Sequence, residues 1–486
     1  MKKVILVFTV LALTFANVAS SIAEDDVAAL RRQLAEQREL IKTQQQQLDR
    51  QAQTLDQMNQ RLDELAAGKS GEAKSGIQLS SDKTADKGMQ NPEKDSPGSS
   101  VPNKERTIFR DVVGDLNAAA VRKGEFPGSF KIPGGSDVSL AIGGFVKTVA
   151  ISDSDAETMG ATFLPSSLGT NRSDTHGGFS LDSTLTRLFL DGRAPLDEGS
   201  VRGYVEGDLN SSNNGSLGVK MRHAYGVWDT SYGSLTAGHT WSTMMDLKIL
   251  PEGLTEPTVS GVFFMRQPVL RWSQHLSDDF NLHIGLEDPS SSDISSSQTI
   301  FGDTSIPDVI AGVEYSPSDE WHLRLNGMVR RISAVIPGAG EDEATAWGLG
   351  LTGHWNVFQK DKLVFSGLYG EGLGRYLLGI QSTAGSVLTP VNNDLVLRDN
   401  YGGMIAYLHH WNASLRSTAM AGAAFSDSLD WQPGNTFENS IYGSVNLMWS
   451  IKPFITLGVE YAYGSLENKD GSDLGNHRMA VGIQVY

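Results

Sequence analysis

Arginine and lysine recur on one side of segments in which polar and apolar residues alternate. In 201–209, Arg202, Tyr204, Glu206 and Asp208 take one face, while Val201, Gly203, Val205, Gly207 and Leu209 take the other. Taken together, the polar faces collect eleven bases: Lys147, Arg187, Arg193, Arg202, Lys220, Arg222, Arg271, Arg324, Arg330, Arg416 and Arg478. Against them stand six acids: Asp191, Glu206, Asp208, Glu287, Glu314 and Glu460. Set around a narrow passage, an excess of bases favours anions. Paired with neighbouring carboxylates, the same side chains only hold a wall together. The residues singled out as pore-lining are Arg187, Arg193, Arg202, Lys220, Arg222, Arg271 and Arg324. The segment 242–266 adds Asp246, Lys248, Glu252 and Glu256 ahead of Phe263-Phe264-Met265. Folded inward, it would form a constriction loop. Its Asp246, Glu252 and Glu256 would face the arginines across the passage and orient charged solutes.

Other chemistry finds little support. The spacing G-x-G-x-x-G occurs at Gly348-Leu349-Gly350-Leu351-Thr352-Gly353, but inside an alternating segment, not between a strand and a helix as a dinucleotide site requires. Small residues lining a pore account for it better. No Gly-x-Ser-x-Gly elbow is present. His409 and His410 are neighbours on a strand and point to opposite faces, so they cannot ligate one metal together. The chain has no cysteine, and its net charge of −17 argues against nucleic acid as partner. The expectation is therefore no enzyme, no cofactor and no metal site.

The elements that would position the charges are strands. Residues 1–23 read as a secretory signal: Lys2 and Lys3, an apolar run from Val4 to Ala16, then Ser21-Ile22-Ala23. In 24–67, Val27, Leu34, Ile41, Leu48, Leu55 and Leu62 recur every seven residues, with Leu30, Gln37, Gln44, Gln51, Met58 and Leu65 three positions later. This spacing predicts an α-helical coiled coil and self-association. Residues 68–136 form a polar linker and lead-in segment. From 137 to 486 the period is two. Sixteen segments alternate, and their connections are short and long in turn, which is the pattern of an antiparallel transmembrane β-barrel with apolar residues turned to lipid. Aromatics flank the short connections: Trp228 and Tyr232, Tyr315 and Trp321, Trp355 and Phe358, Trp449 and Phe454. Such rings suit a membrane interface. The alternation changes phase near Leu185–Leu188, which a bulge would explain.

The stretch PGSFKIPGGSDVSLAIGGFVK from Pro127 to Lys147, together with the signal, the glutamine-rich heptads and the linker, resembles the DcaP-type trimeric outer-membrane porins. Looser matches are Tyr204-Val205-Glu206-Gly207-Asp208, Arg222-His223-Ala224-Tyr225-Gly226 and Ala237-Gly238-His239-Thr240-Trp241-Ser242. The resemblance implies an all-β, 16-stranded trimeric barrel with a periplasmic coiled-coil extension. It also implies passive uptake of small anions such as dicarboxylates across the outer membrane of a Gram-negative bacterium. The partners expected are outer-membrane lipid and lipopolysaccharide, the solute and two further copies of the chain, with cell-wall contact through the coiled coil. A structural tether to the cell wall and an outer-membrane hydrolase are the alternative readings.

Overall fold

A computed structural model describes residues 122–132, 137–154, 160–169, 177–213, 216–289, 294–295, 306–336, 340–358, 360–381, 386–388 and 394–486. The signal segment 1–23, the coiled coil 24–67 and the linker as far as 121 lie outside the described residues.

Sixteen antiparallel strands close into a barrel. They are β1 (Ser139–Asp153), β2 in two pieces (Gly178–Asp182 and Arg187–Pro195), β3 (Ser200–Asn213), β4 (Ser216–Asp229), β5 (Gly233–Trp241), β6 (Arg266–His275), β7 (Phe280–Glu287) and β8 (Asp308–Ser318). They continue with β9 (Trp321–Ile336), β10 (Gly340–Val357), β11 (Asp361–Glu371), β12 (Asp399–His410), β13 (Leu415–Ser426), β14 (Phe437–Lys452), β15 (Ile455–Asn468) and β16 (Asp473–Val485). Each strand pairs with the next, and β16 returns to β1 in the register Gly482 to Val149. Before the barrel, Arg122–Lys123 pairs with Phe130–Lys131, which in turn pairs with the start of β1. Both pieces of β2 pair with β1, and the break between them falls at 183–186. There Leu185 turns inward to pack with Val149 and Leu254, which accounts for the phase change in the sequence.

The alternation is read out as two surfaces. Leu323, Leu325 and Val329 of β9 are exposed on the outside, while His322, Arg324, Asn326 and Arg330 are buried within. The same holds on β14 for Ile441, Val445 and Leu447 against Tyr442, Ser444 and Asn446. A soluble sandwich would put these apolar faces inside; here they form the outer band that lipid covers. Exposed aromatics mark the short-turn rim, where Trp321 stacks on Trp355 with ring centroids 5.0 Å apart. Where the pattern suggests gaps at 210–216 and 333–344, the strands run on, so two connections at the other rim are much shorter than the alternation implies.

The barrel interior is not uniformly polar. Three loop segments, 160–169, 242–265 and 372–381, fold inward. Their Phe163, Val259, Phe263, Leu373 and Tyr376 pack with inward-facing Ile310, Met328, Val364, Leu368, Met404 and Met420 into one apolar cluster. Glycines make room for it. Gly348 and Gly350, the glycines of the G-x-G spacing, face Leu373 and Phe263 at positions where a β-carbon would collide with those side chains.

Candidate functional site

The connection from β5 to β6 is held by wall side chains along most of its length. Near its start, the Thr243 amide donates to Glu287 (2.5 Å), and Arg324 donates to the Thr243 carbonyl (2.6 Å). Asp246 accepts from the Thr352 hydroxyl (2.6 Å) and lies 2.8 Å from His322 Nε2. Lys248 reaches Glu314 (2.6 Å). These contacts fix the first part of the loop to β7–β10. The chain then reaches β13–β15. Arg416 donates to both oxygens of Glu252 at 2.6 Å, Asn446 donates to the Glu252 carbonyl, and Glu460 accepts the amides of Leu254 and Thr255. Next, Glu256 meets Arg187 of β2 (2.9 Å) and Arg222 of β4 (3.0 Å). The returning limb lies against β11 and β12, where Ser366 donates to the Gly261 carbonyl (2.8 Å). Gly261 has φ +88°, and a β-carbon there would strike the Gly403 and Ala423 carbonyls, so only glycine permits this approach.

The arginines of β2–β4 are linked to carboxylates along one wall. Arg222 is buried and contacts Asp208 (2.5 Å), Glu206 (3.3 Å) and Glu256. A bulge in β4 turns both Arg222 and His223 inward. Arg193 and Arg202 both hold Asp191, at 2.7 and 3.0 Å, yet keep 43% and 31% of their side chains exposed. Arg202 also lies over Tyr204 (4.8 Å), and Arg193 over Phe126 of the lead-in hairpin (4.2 Å). Lys220, in register with Asp208, is exposed.

The loop carboxylates lie outside the spanning strands, and their protonation follows these contacts. Burial alone would raise the Glu256 carboxyl, but Arg222 and Arg187 outweigh it and hold it below its ordinary value. Burial likewise opposes ionisation of Asp246, and the contact with His322 and the hydroxyl of Thr352 reverse that effect.

Comparison with known proteins follows the same lines. The sequence matches the profile described as DcaP outer membrane protein over residues 141–481. The chain belongs to the DcaP outer membrane protein family. Its fold is similar to the crystal structure of the outer membrane channel DcaP of Acinetobacter baumannii, with a TM-score of 0.64 and 22% identity over 72% of this chain and 97% of that one. It is also similar to an anion-selective porin from Comamonas acidovorans, with a TM-score of 0.50 and 12% identity over 72% and 99% of the two chains. No curated protein matches the chain by sequence. The protein is thus an outer-membrane protein with a β-barrel fold of the porin type.

Within this DcaP-family barrel, the residues singled out from the sequence divide into groups. Arg187 and Arg222 meet Glu256; Arg193 and Arg202 share Asp191. Arg271 is part-buried beside the Trp241 carbonyl (3.4 Å), and Arg324 is buried beneath the loop's first residues. Glu252 and Glu256 touch arginines directly rather than facing them across a gap. Asp246 lies far along the wall from either, against His322. Sequence reasoning did not single out Arg266, which opens β6 and lies over the Trp241 ring (4.6 Å). It sits one residue before the alternation becomes visible at Gln267. Nor did it single out the segment 372–381, although Leu373, Tyr376, Leu377 and Ile380 recur there at intervals of one to three residues between Gly372 and Ile380.

Proposed function

We propose that the protein is a passive outer-membrane porin that favours small anionic solutes such as dicarboxylates. The observation that carries the reading is the base-rich wall of β2–β4. There Arg193 and Arg202 share a single carboxylate and remain partly open to the lumen. An exposed Lys220 adds to the same wall, and Arg187 and Arg222 lie deeper against Glu256. In a water-filled passage with low-dielectric walls, an incompletely compensated wall attracts anions, and partial pairing keeps binding weak enough for release. The anion selectivity named for the Comamonas porin supports the direction. The constriction would lie where Glu256 meets Arg187 and Arg222, with Asp246 and Glu252 anchoring the loop to other parts of the wall. We further propose a homotrimer in outer-membrane lipid and lipopolysaccharide, exported by the signal 1–23 and extended into the periplasm by the coiled coil 24–67. The deciding measurement is the reversal potential of the full mature chain in a planar bilayer under a salt gradient. Anion preference is the expected result; cation preference would overturn the reading.

A further inference from the structure

Among the inward-facing bases that make no hydrogen bond or ion pair with a described residue, Lys147 is the most buried. It lies on β1, is 7% exposed, and its ammonium makes no hydrogen bond or ion pair with any described residue. It faces a pocket of about 220 Å³ between loop residues 252–257 and the inner faces of β1, β2 and β13–β16. The other bases lining that pocket are taken: Arg187 by Glu256 at 2.9 Å, Arg416 by Glu252 at 2.6 Å. Nearby Glu460 is occupied by the loop amides of Leu254 and Thr255, the Thr255 hydroxyl and Asn446. The remaining lining includes Phe145, Leu185, Met448 and Tyr486. The Lys147 stem is buried while its ammonium opens onto this pocket, where an arriving anion would give it a charge-assisted contact.

We propose that this pocket holds a single carboxylate carried on a small apolar body, with the carboxylate on Lys147 and the body against Phe145, Leu185 and Met448. Among the described residues lining the pocket, Lys147 is the one base without a hydrogen-bonded carboxylate, and it matches one carboxylate. Glu252 and Glu256 also line the pocket and disfavour a second negative charge, so the site discriminates against dicarboxylates even though they pass through the same lumen. The inference rests on the porin reading and adds to it a binding site for monocarboxylates beside the constriction.

The test uses the full mature chain in planar bilayers with benzoate and succinate as probes. Benzoate should interrupt the wild-type ion current in a saturable way, and succinate should do so more weakly at this site. Lys147→Met should weaken benzoate block roughly tenfold or more, the order expected for losing a charge-assisted contact. Met448→Trp, which fills the pocket while keeping the charge, should weaken it as well. Lys452→Met removes a charge from the short-turn rim outside the pocket and should leave the block intact. The inference is overturned if benzoate does not block wild type, if block survives both pocket variants, or if Lys452→Met weakens it as much as Lys147→Met. A cation-selective wild type would instead sink the porin reading. An anion-selective wild type whose benzoate block ignores both pocket variants would sink this inference alone.

Discussion

The inward faces of β2–β4 and of β8–β13 belong to one closed sheet and follow the same alternation, yet they do different work. On β2–β4 the inward residues are Arg187, Asp191, Arg193, Arg202, Glu206, Asp208 and Arg222, linked to each other and to Glu256 through ion pairs. On β8–β13 many are Ile310, Met328, Val364, Leu368, Met404 and Met420, sealed beneath Phe263, Leu373 and Tyr376 of the infolded loops. The second wall behaves as the core of an ordinary globular protein, in which buried apolar area sets the stability. The first buries charge, which contributes little net stability while paired and costs much when half of a pair is removed. A barrel whose backbone closes on itself needs neither arrangement to complete its hydrogen bonds. The apolar wall thus seals the infolded segments by packing, while the charged wall holds Glu256 of the same loop through ion pairs.

That division is tested first at its most demanding point. Arg222→Met should destabilise the barrel by about 4 kcal/mol, because Asp208, 1% exposed, would lose its closest cation. The same change removes one of the two arginines holding Glu256, so the loop should become susceptible to protease near 256. Denaturant unfolding and limited proteolysis check both. A folded variant of wild-type stability would show that the charged wall is not coupled in this way.

On the apolar wall the expected lesion is different in kind. Leu373→Ala deletes a fully buried side chain that packs over Gly348 and should cost about 3 kcal/mol. Ion selectivity should stay at its wild-type value, since no charge moves. A large change in reversal potential would mean that the two walls are not separable.

How far this division was legible in the sequence varies by residue. The strands were legible because alternation is a property of each segment alone: β3, β9 and β14 each carry the face assignment in their own residues. The charged wall was legible for the same reason, but its pairing was not. Asp191 and Asp208 lie on different strands from Arg202 and Arg222, and which carboxylate each arginine takes is set by register and by the bulge at Arg222. Sequence alone therefore treats Arg193, Arg202 and Arg222 as equivalents, whereas the fold leaves the first two half-open and buries the third. The apolar wall was the least visible. Val364 and Leu368 sit on a strand that is apolar on both faces, a pattern that cannot say which loop covers the inner one. The loop carboxylates were found by their position after the fifth strand; their contacts depend on side chains from β2 to β15.

Selectivity tests the open part of the charged wall. Arg193→Gln or Arg202→Gln, made singly, leaves Asp191 one guanidinium, so stability should change by about 1 kcal/mol or less. Each should move the reversal potential towards cations by a measurable amount, with Arg193, the more exposed of the two, at least as effective as Arg202. Replacing both together would orphan Asp191, which is 5% exposed, and would mix a folding defect into the reading. Wild-type reversal potentials in both single variants would break the link between this wall and anion preference.

The smallest expected effect is that of mild acid on the loop. Glu256 titrates below its ordinary value of 4.5 because burial, which opposes its charge, is outweighed by Arg222 and Arg187. A carboxyl whose folded value is depressed binds its proton more readily when the protein is unfolded. Its contribution to stability is therefore complete above 4.5 and is lost only as the pH falls through the lower folded value. Asp246, also held below its ordinary value of 3.8, follows the same sign. Between pH 7 and about pH 5 both ends of the loop should thus stay fixed, and single-channel conductance and protease resistance near 256 should not change. The Glu256 contacts should loosen only as the pH falls through that lower folded value, and Glu256→Gln at pH 7 should reproduce that state without acid. If conductance shifted between pH 7 and 5 in wild type but not in Glu256→Gln, Glu256 would be titrating near neutrality. The guanidiniums of the charged wall would then not be holding it as their geometry requires.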